Sequence, residues 1–310
     1  MTVLLLLPLL LPFAMPALAR RTLARLNPAT ALWALTACAL VCAGACVAAL
    51  GALLLTGLLT FPLFAALGDL IRPLRTPSDP LVLPAAALAT GALTLGAWTL
   101  ARSALNQVTA LRTARADADS RPAAGDLCVV DSPHPDAYAL PGRPHRIVVT
   151  TAMLRSLNPG EREALFAHER AHNAGGHHYF LAAAELAAHC HPALRTTRDT
   201  IRLAAERAAD ESAATVIGDR RLLARAIARA ALATDAATTP RSAFTPGATT
   251  GPVPQRVTAL LASRGNPSNT ARWTIALFLA ACAVLPVGAA ATGVVAFHHE
   301  VEVAQGEESP

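Results

Sequence analysis

The sequence predicts a mainly α-helical membrane protein: four transmembrane helices, with one α+β domain of helices plus a small sheet set between the third and the fourth. Three observations lead there. Hydrophobic residues make up 53% of the 310 and charged residues 15%, against roughly 25% charged in an ordinary soluble domain, so much of the chain faces lipid. The apolar residues collect into four uncharged stretches, each near the ~20 residues a helix needs to cross hydrocarbon. Only about 170 residues separate the third stretch from the fourth, enough for one domain.

The first stretch is Thr2 to Ala19. It has no basic residues before it; Arg20, Arg21 and Arg25 follow. A retained span fits this better than a cleaved signal peptide, although Ala17-Leu18-Ala19 would suit cleavage. Pro8, Pro12 and Pro16 are spaced by four and mark one face of a kinked helix. The second stretch is uncharged from Ala31 to Gly68. It reads as a helix over 31–55 followed by a short membrane-level segment broken at Pro62, with two tightly connected spans as the alternative. The third span is 81–100 and the fourth 273–297. Cys38, Cys42 and Cys46 share one face of the second helix, as small residues do where helices pack. With Cys128, Cys190 and Cys282 scattered, the cysteines show no disulfide framework, which suits a reducing compartment. The chain therefore divides into a membrane region (1–104), a central domain (105–271) and a fourth helix with a short tail (272–310).

All 26 positive charges are Arg. The first connection carries three Arg and no acid, 101–272 carries 21 Arg against 15 acids, and the tail carries four Glu and no Arg. Because cytoplasmic loops are enriched in positive charge, this puts the central domain of a multi-pass cell-membrane protein on the cytoplasmic side. The pI of 9.2 does not point to nucleic acid. Only 4% of residues are aromatic, and no basic cluster is interleaved with them.

Within the central domain, 109–122 reads as a helical extension of the third span. Short β-like pieces follow at 126–131, 137–140 and 146–150, separated by Pro and Gly. Asn158-Pro159-Gly160-Glu161 is a helix start, with Asn as N-cap, Pro at the first position and Glu closing a capping box. The helix runs to Gly175-Gly176. Further helices are expected at about 179–189, 195–217, 220–233 and 255–262, with a Thr-, Pro- and Gly-rich loop before the last.

The helix that starts at Asn158 carries His168-Glu169-Arg170-Ala171-His172. Two His four residues apart emerge from one face, one turn apart, a spacing that lets two nitrogens bind one Zn²⁺. Glu169 sits beside the metal rather than on it, where it can take a proton from water that zinc has acidified. With ten His in the chain, chance would produce an HExxH pattern only about 0.01 times. Catalytic zinc needs three protein ligands. Glu206, on a separate predicted helix, is the candidate for the third. Asp210 follows it one turn later, placed to accept a hydrogen bond from the far nitrogen of a ligating His.

The strings AYALPGRPHRIVVTTAMLRSLNPGEREALFAHERAH and AERAADESAA resemble the BlaR/MecR-type, antirepressor family of membrane zinc metallopeptidases. More distantly they resemble the HtpX/CAAX-prenyl protease family, which shares the ExxAD element. The resemblance covers about 126–233. It implies a zincin-like α+β metallopeptidase domain holding one Zn²⁺ per chain. His168, His172 and Glu206 would be the ligands, Glu169 the general base and Asp210 the acid behind a ligand. It also implies a protein substrate, a winged-helix transcriptional repressor in that family, and hence a role in signal transduction. Two departures stand out. Only about 13 residues follow the fourth span, too few for the domain with which antibiotic-sensing members bind their ligand. Where HtpX-like proteins have a His-Pro pair, this chain reads Gly251-Pro252-Val253-Pro254-Gln255-Arg256.

His177 and Tyr179 are candidates for transition-state or substrate contacts, the plainer reading of both being a polar start to the next helix. His189 and His191, around Cys190, read as a helix end satisfied by imidazoles. The strand at 146–150 is expected to be an edge with which an extended peptide pairs. A housekeeping protease for damaged membrane proteins and a non-catalytic transducer remain the alternatives.

Overall fold

The computed structural model describes residues 7–58, 82–236, 253–262 and Gly288. A 3-10 turn at Leu11–Ala14 leads into α1 (Met15–Arg25), and Asn27 then caps the start of α2 (Pro28–Leu58) through Ala29 N–H. α3 (Val82–Asp119) is one continuous helix, so the third span and its predicted extension form a single rod. Among the described residues, two helices are long and apolar enough to cross a membrane, Pro28–Leu55 and Leu83–Asp119. The first predicted span is described only from Leu7 onward, and there the 3-10 turn interrupts it. The segment around Pro62, the 237–252 loop and the fourth span, Gly288 apart, lie outside the described residues.

Four strands follow α3: β1 (Ala123–Ala124), β2 (Leu127–Val130), β3 (Ala137–Leu140) and β4 (Arg146–Thr150). Their order is β1-β2-β4-β3, with β2 parallel to β4 and the other pairs antiparallel. This corrects one expectation: β4 is not an edge. It lies between β2 and β3, and the edge beside the helices is β3. The reason is in the residues. Ile147, Val148 and Val149 are consecutive and all buried, as in a strand covered on both faces; a half-exposed edge would alternate. One face, with Val149, packs on Met153, Leu157 and Leu165, and the other, with Val148, on Ala118 of α3.

The remaining helices are α4 (Thr151–Ser156), α5 (Pro159–Ala174), α6 (His177–Cys190), α7 (Leu194–Ile217), α8 (Arg220–Ala236) and α9 (Val253–Leu261). The expected capping box is present: Asn158 Oδ1 accepts from Glu161 N–H at 2.9 Å, and Asn158 N–H donates to Glu161 Oε2 at 3.1 Å. α7 ends where Gly218 takes a left-handed φ of +74° that a side chain would resist.

Packing crosses the boundary at residue 104. Leu18, Leu23, Leu32, Leu35, Cys38 and Cys42 of α1 and α2 share one buried cluster with Ala184 and Ala187 of α6 and Leu194, Ile201, Ala204 and Ala205 of α7. Arg207 Nη1 donates to Leu23 O at 3.1 Å, tying the end of α1 to α7. A second cluster joins α5, α7, α8 and α9 through Ala164, Ala213, Leu223, Ile227 and Leu260.

Candidate metal centre

α5 and α7 meet along small residues. Ala164 and Ala167 on one and Ala213 and Ala214 on the other are buried in one cluster, and short side chains let helix axes approach closely. His168, His172 and Glu206 then reach a common point. His168 Nε2 lies 3.1 Å from His172 Nε2 and 3.6 Å from Glu206 Oε2, and His172 Nε2 lies 3.6 Å from Glu206 Oε1. Ligand atoms ~2.1 Å from one tetrahedral zinc stand about 3.4 Å apart. Taking one ligand atom from each residue, the donors lie within 4.8 Å of one another, a grouping that could hold one metal ion.

Charge supports the same conclusion. Glu169, Glu206 and Asp210 are buried, and the guanidinium of Arg256, with no exposed surface, is the buried arginine among them. With both imidazoles neutral, as metal ligands must be, and all three acids ionised, three carboxylates against one guanidinium leave two negative charges, which a divalent cation would neutralise. Neither Glu206 oxygen receives an aligned hydrogen bond, although Arg256 Nη1 sits 2.8 Å from Oε2. Arg256 offsets the charge of this buried carboxylate, and its oxygens keep lone pairs that a metal ion could take up.

Each imidazole of the candidate ligand pair is backed by another side chain. His168 Nδ1 lies 3.0 Å from Asp210 Oδ1, a charge contact set off the axis of a straight hydrogen bond. Asp210 is in turn held by the Arg256 fork, Nε to Oδ2 at 2.9 Å and Nη2 to Oδ1 at 2.7 Å. Behind His172, His177 places its Nδ1 3.0 Å from His172 Nδ1.

The titration behaviour follows from these contacts. Burial works against a charged His168, but the Asp210 and Glu206 carboxylates outweigh it and raise its pKa to about 9. Burial, with charged His168 beside it, holds His172 well below the ordinary imidazole value. Burial would raise Asp210, yet the Arg256 fork brings it down to about 2. Without a metal, His168 is therefore the proton-bearing member of the pair and faces the Nε2 lone pair of neutral His172.

Glu169, the next residue after His168, reaches toward β3 from beside the cluster. Its Oε2 accepts from Ala139 N–H at 2.8 Å, and burial pushes its pKa up to about 7. A carboxyl group that exchanges its proton near neutrality suits a general base. Of the remaining candidates, His177 is buried behind His172, while Tyr179 is 72% exposed and stacks with His178 at 3.9 Å between ring centroids.

Arg256 escaped the sequence reading as a site residue. It enters from α9, and nothing marks it among 26 arginines. The one available signal was its place in the Pro-Val-Pro-Gln-Arg string, where HtpX-like proteins have a His-Pro pair.

Residues 102–194 match the model of peptidase family M48. The match supports a metallopeptidase, and the M48 family is zinc-dependent. It takes in the outer part of α3, the sheet, α5 and α6, and so includes His168, Glu169 and His172. Glu206, Asp210 and Arg256 lie beyond it, and the fold brings them to the M48 segment. No curated protein and no solved structure matches the chain.

Proposed function

We propose that this chain is a membrane-bound zinc metalloendopeptidase whose domain lies on the cytoplasmic side, acting in regulated proteolysis of a cytosolic transcriptional repressor. The observation that carries the peptidase reading is the convergence of His168, His172 and Glu206 with Glu169 alongside. The Arg distribution and the helices α2 and α3 support the membrane setting. The antirepressor-like strings around the HExxH pattern support the choice of substrate.

His168, His172 and Glu206 would hold the ion, and bound zinc supplies Lewis acidity that lowers the pKa of water toward ~7. The residues of the chain do the rest. The edge of β3 at Ala139 adjoins Glu169, so an extended peptide running along this edge presents its scissile bond to that carboxylate. Glu169 Oε2 is anchored by Ala139 N–H, which leaves Oε1 to take the proton from the attacking water and deliver it to the departing amine nitrogen.

Glu169→Gln keeps the shape of the side chain and removes the base. Peptidase activity of the purified protein against casein should fall by about 10²-fold or more while zinc stays bound; full activity in the zinc-loaded variant refutes the assignment. Comparing the proteomes of wild-type and Glu169→Ala cells tests the substrate. One stabilised DNA-binding repressor is expected, and a broad rise in damaged membrane proteins would contradict it.

A further inference from the structure

The geometry points to His177 as a positioning residue: it holds the His172 ring so that Nε2 faces Glu206 and His168 as a lone pair while the ring hydrogen sits on Nδ1. This rests on the metallopeptidase reading and assigns His177 a place behind the ligand rather than on the substrate side.

The argument is one of hydrogen-bond direction. The two Nδ1 atoms are 3.0 Å apart and both rings are buried, so one nitrogen must carry the hydrogen and the other must accept it. His172 Nε2 lies 3.1 Å from the Nε2 of His168. As a ligand that atom needs its lone pair, so the His172 hydrogen belongs on Nδ1 and His177 Nδ1 is the acceptor. The ring planes stand at 90° with centroids 4.9 Å apart, so the two imidazoles meet through their Nδ1 atoms rather than by stacking.

The local backbone is shaped for this contact. His177 is the first residue of α6, immediately after Gly176, whose φ of +59° reverses the chain. Gly175 has an ordinary helical φ of −78°, so its backbone places no demand for glycine. A Cβ there would lie 2.5 Å from His177 Nε2 and 2.8 Å from its Cδ2. The glycine is needed because the His177 ring occupies the space its side chain would fill. His168 and His172 are thus backed differently, one by the Asp210–Arg256 pair and the other by an uncharged imidazole. This keeps the sum of Glu169, Glu206, Asp210, Arg256 and a divalent ion at zero.

The test compares His177→Leu, His177→Asn and Gly175→Ala with wild type in the full-length protein. Zinc affinity is measured by competition with a chelator, and the metal-free melting temperature is followed in parallel. Leu removes the acceptor, and zinc affinity should fall 10- to 100-fold, the usual effect of losing a partner behind a ligating His. Asn restores an acceptor oxygen and should recover affinity to within about 3-fold of wild type. Gly175→Ala leaves His177 in the chain but displaces its ring, and should resemble Leu. Wild-type affinity in His177→Leu overturns the inference, and so does an equal loss in Leu and Asn that tracks a lowered melting temperature. A changed KM with unchanged zinc affinity would return His177 to the substrate side. A wild-type protein that binds no zinc would instead overturn the metallopeptidase reading itself.

Discussion

Arg256→Met asks how far the site depends on its buried cation. The guanidinium has no exposed surface and contacts Asp210 through two nitrogens, at 2.9 and 2.7 Å, and Glu206 through a third at 2.8 Å. Methionine has a comparable stem and no charge, so the change removes the guanidinium and leaves two buried carboxylates with His168 as the cation they share. Breaking a buried pair in this one-sided way costs about 3–5 kcal/mol, and the double engagement favours the upper half of that range. In a domain of this size each kcal/mol moves Tm by about 2–4 °C, so the metal-free variant should melt roughly 8–20 °C below wild type. Arg256→Lys keeps the charge but loses the planar fork and should fall between the two. The assay is a thermal melt in detergent after chelator treatment. A Met variant within about 2 °C of wild type would refute the claim that Arg256 neutralises these carboxylates.

The raised pKa of His168 makes the metal-free fold sensitive to alkali. Its value of about 9 stands above the ~6.5 of an unfolded His, so protonation stabilises the fold. That contribution, about 3 kcal/mol, is present in full below pH ~6.5 and lost as pH rises through ~9. Melts with chelator at pH 6.5 and 9.5 should show the loss, and Asp210→Asn should remove most of it; a flat profile contradicts the His168–Asp210 contact. Ile201 on α7 is fully buried in the cluster shared with α1 and α2. Ile201→Ala should therefore cost about 2–5 kcal/mol, read as a lowered melting temperature. A cost below ~0.5 kcal/mol, the range of surface positions, would show that this face is not core.

Much of the site was legible because spacing alone constrains it. His168 and His172 lie on one helical face whatever surrounds them, and Asn158-Pro159-Gly160-Glu161 specifies its helix start through local bonds. Glu206 and Asp210 were readable as a pair one turn apart, but only as partners of a motif already found. Arg256 was not readable, because its link to Asp210 spans 46 residues and arises only when α9 packs on α7 and α8. The role of β4 was misread although the signal was present in Ile147-Val148-Val149, an unalternating run that belongs to an interior strand. Leu32 and Leu35 read only as part of an apolar span, and Cys38 and Cys42 as a face that packs on some neighbouring helix. Nothing in an apolar run distinguishes lipid from the faces of α6 and α7, so the shared core became visible only in three dimensions.

The central claim is that His168, His172 and Glu206 together hold a catalytic zinc ion. Metal analysis of the purified, zinc-reconstituted protein tests it most directly. One zinc per chain is expected in wild type and in Glu169→Gln, falling to background in His168→Gln, His172→Gln and Glu206→Gln. A wild-type chain without zinc, or full occupancy in the Glu206→Gln variant, would contradict it.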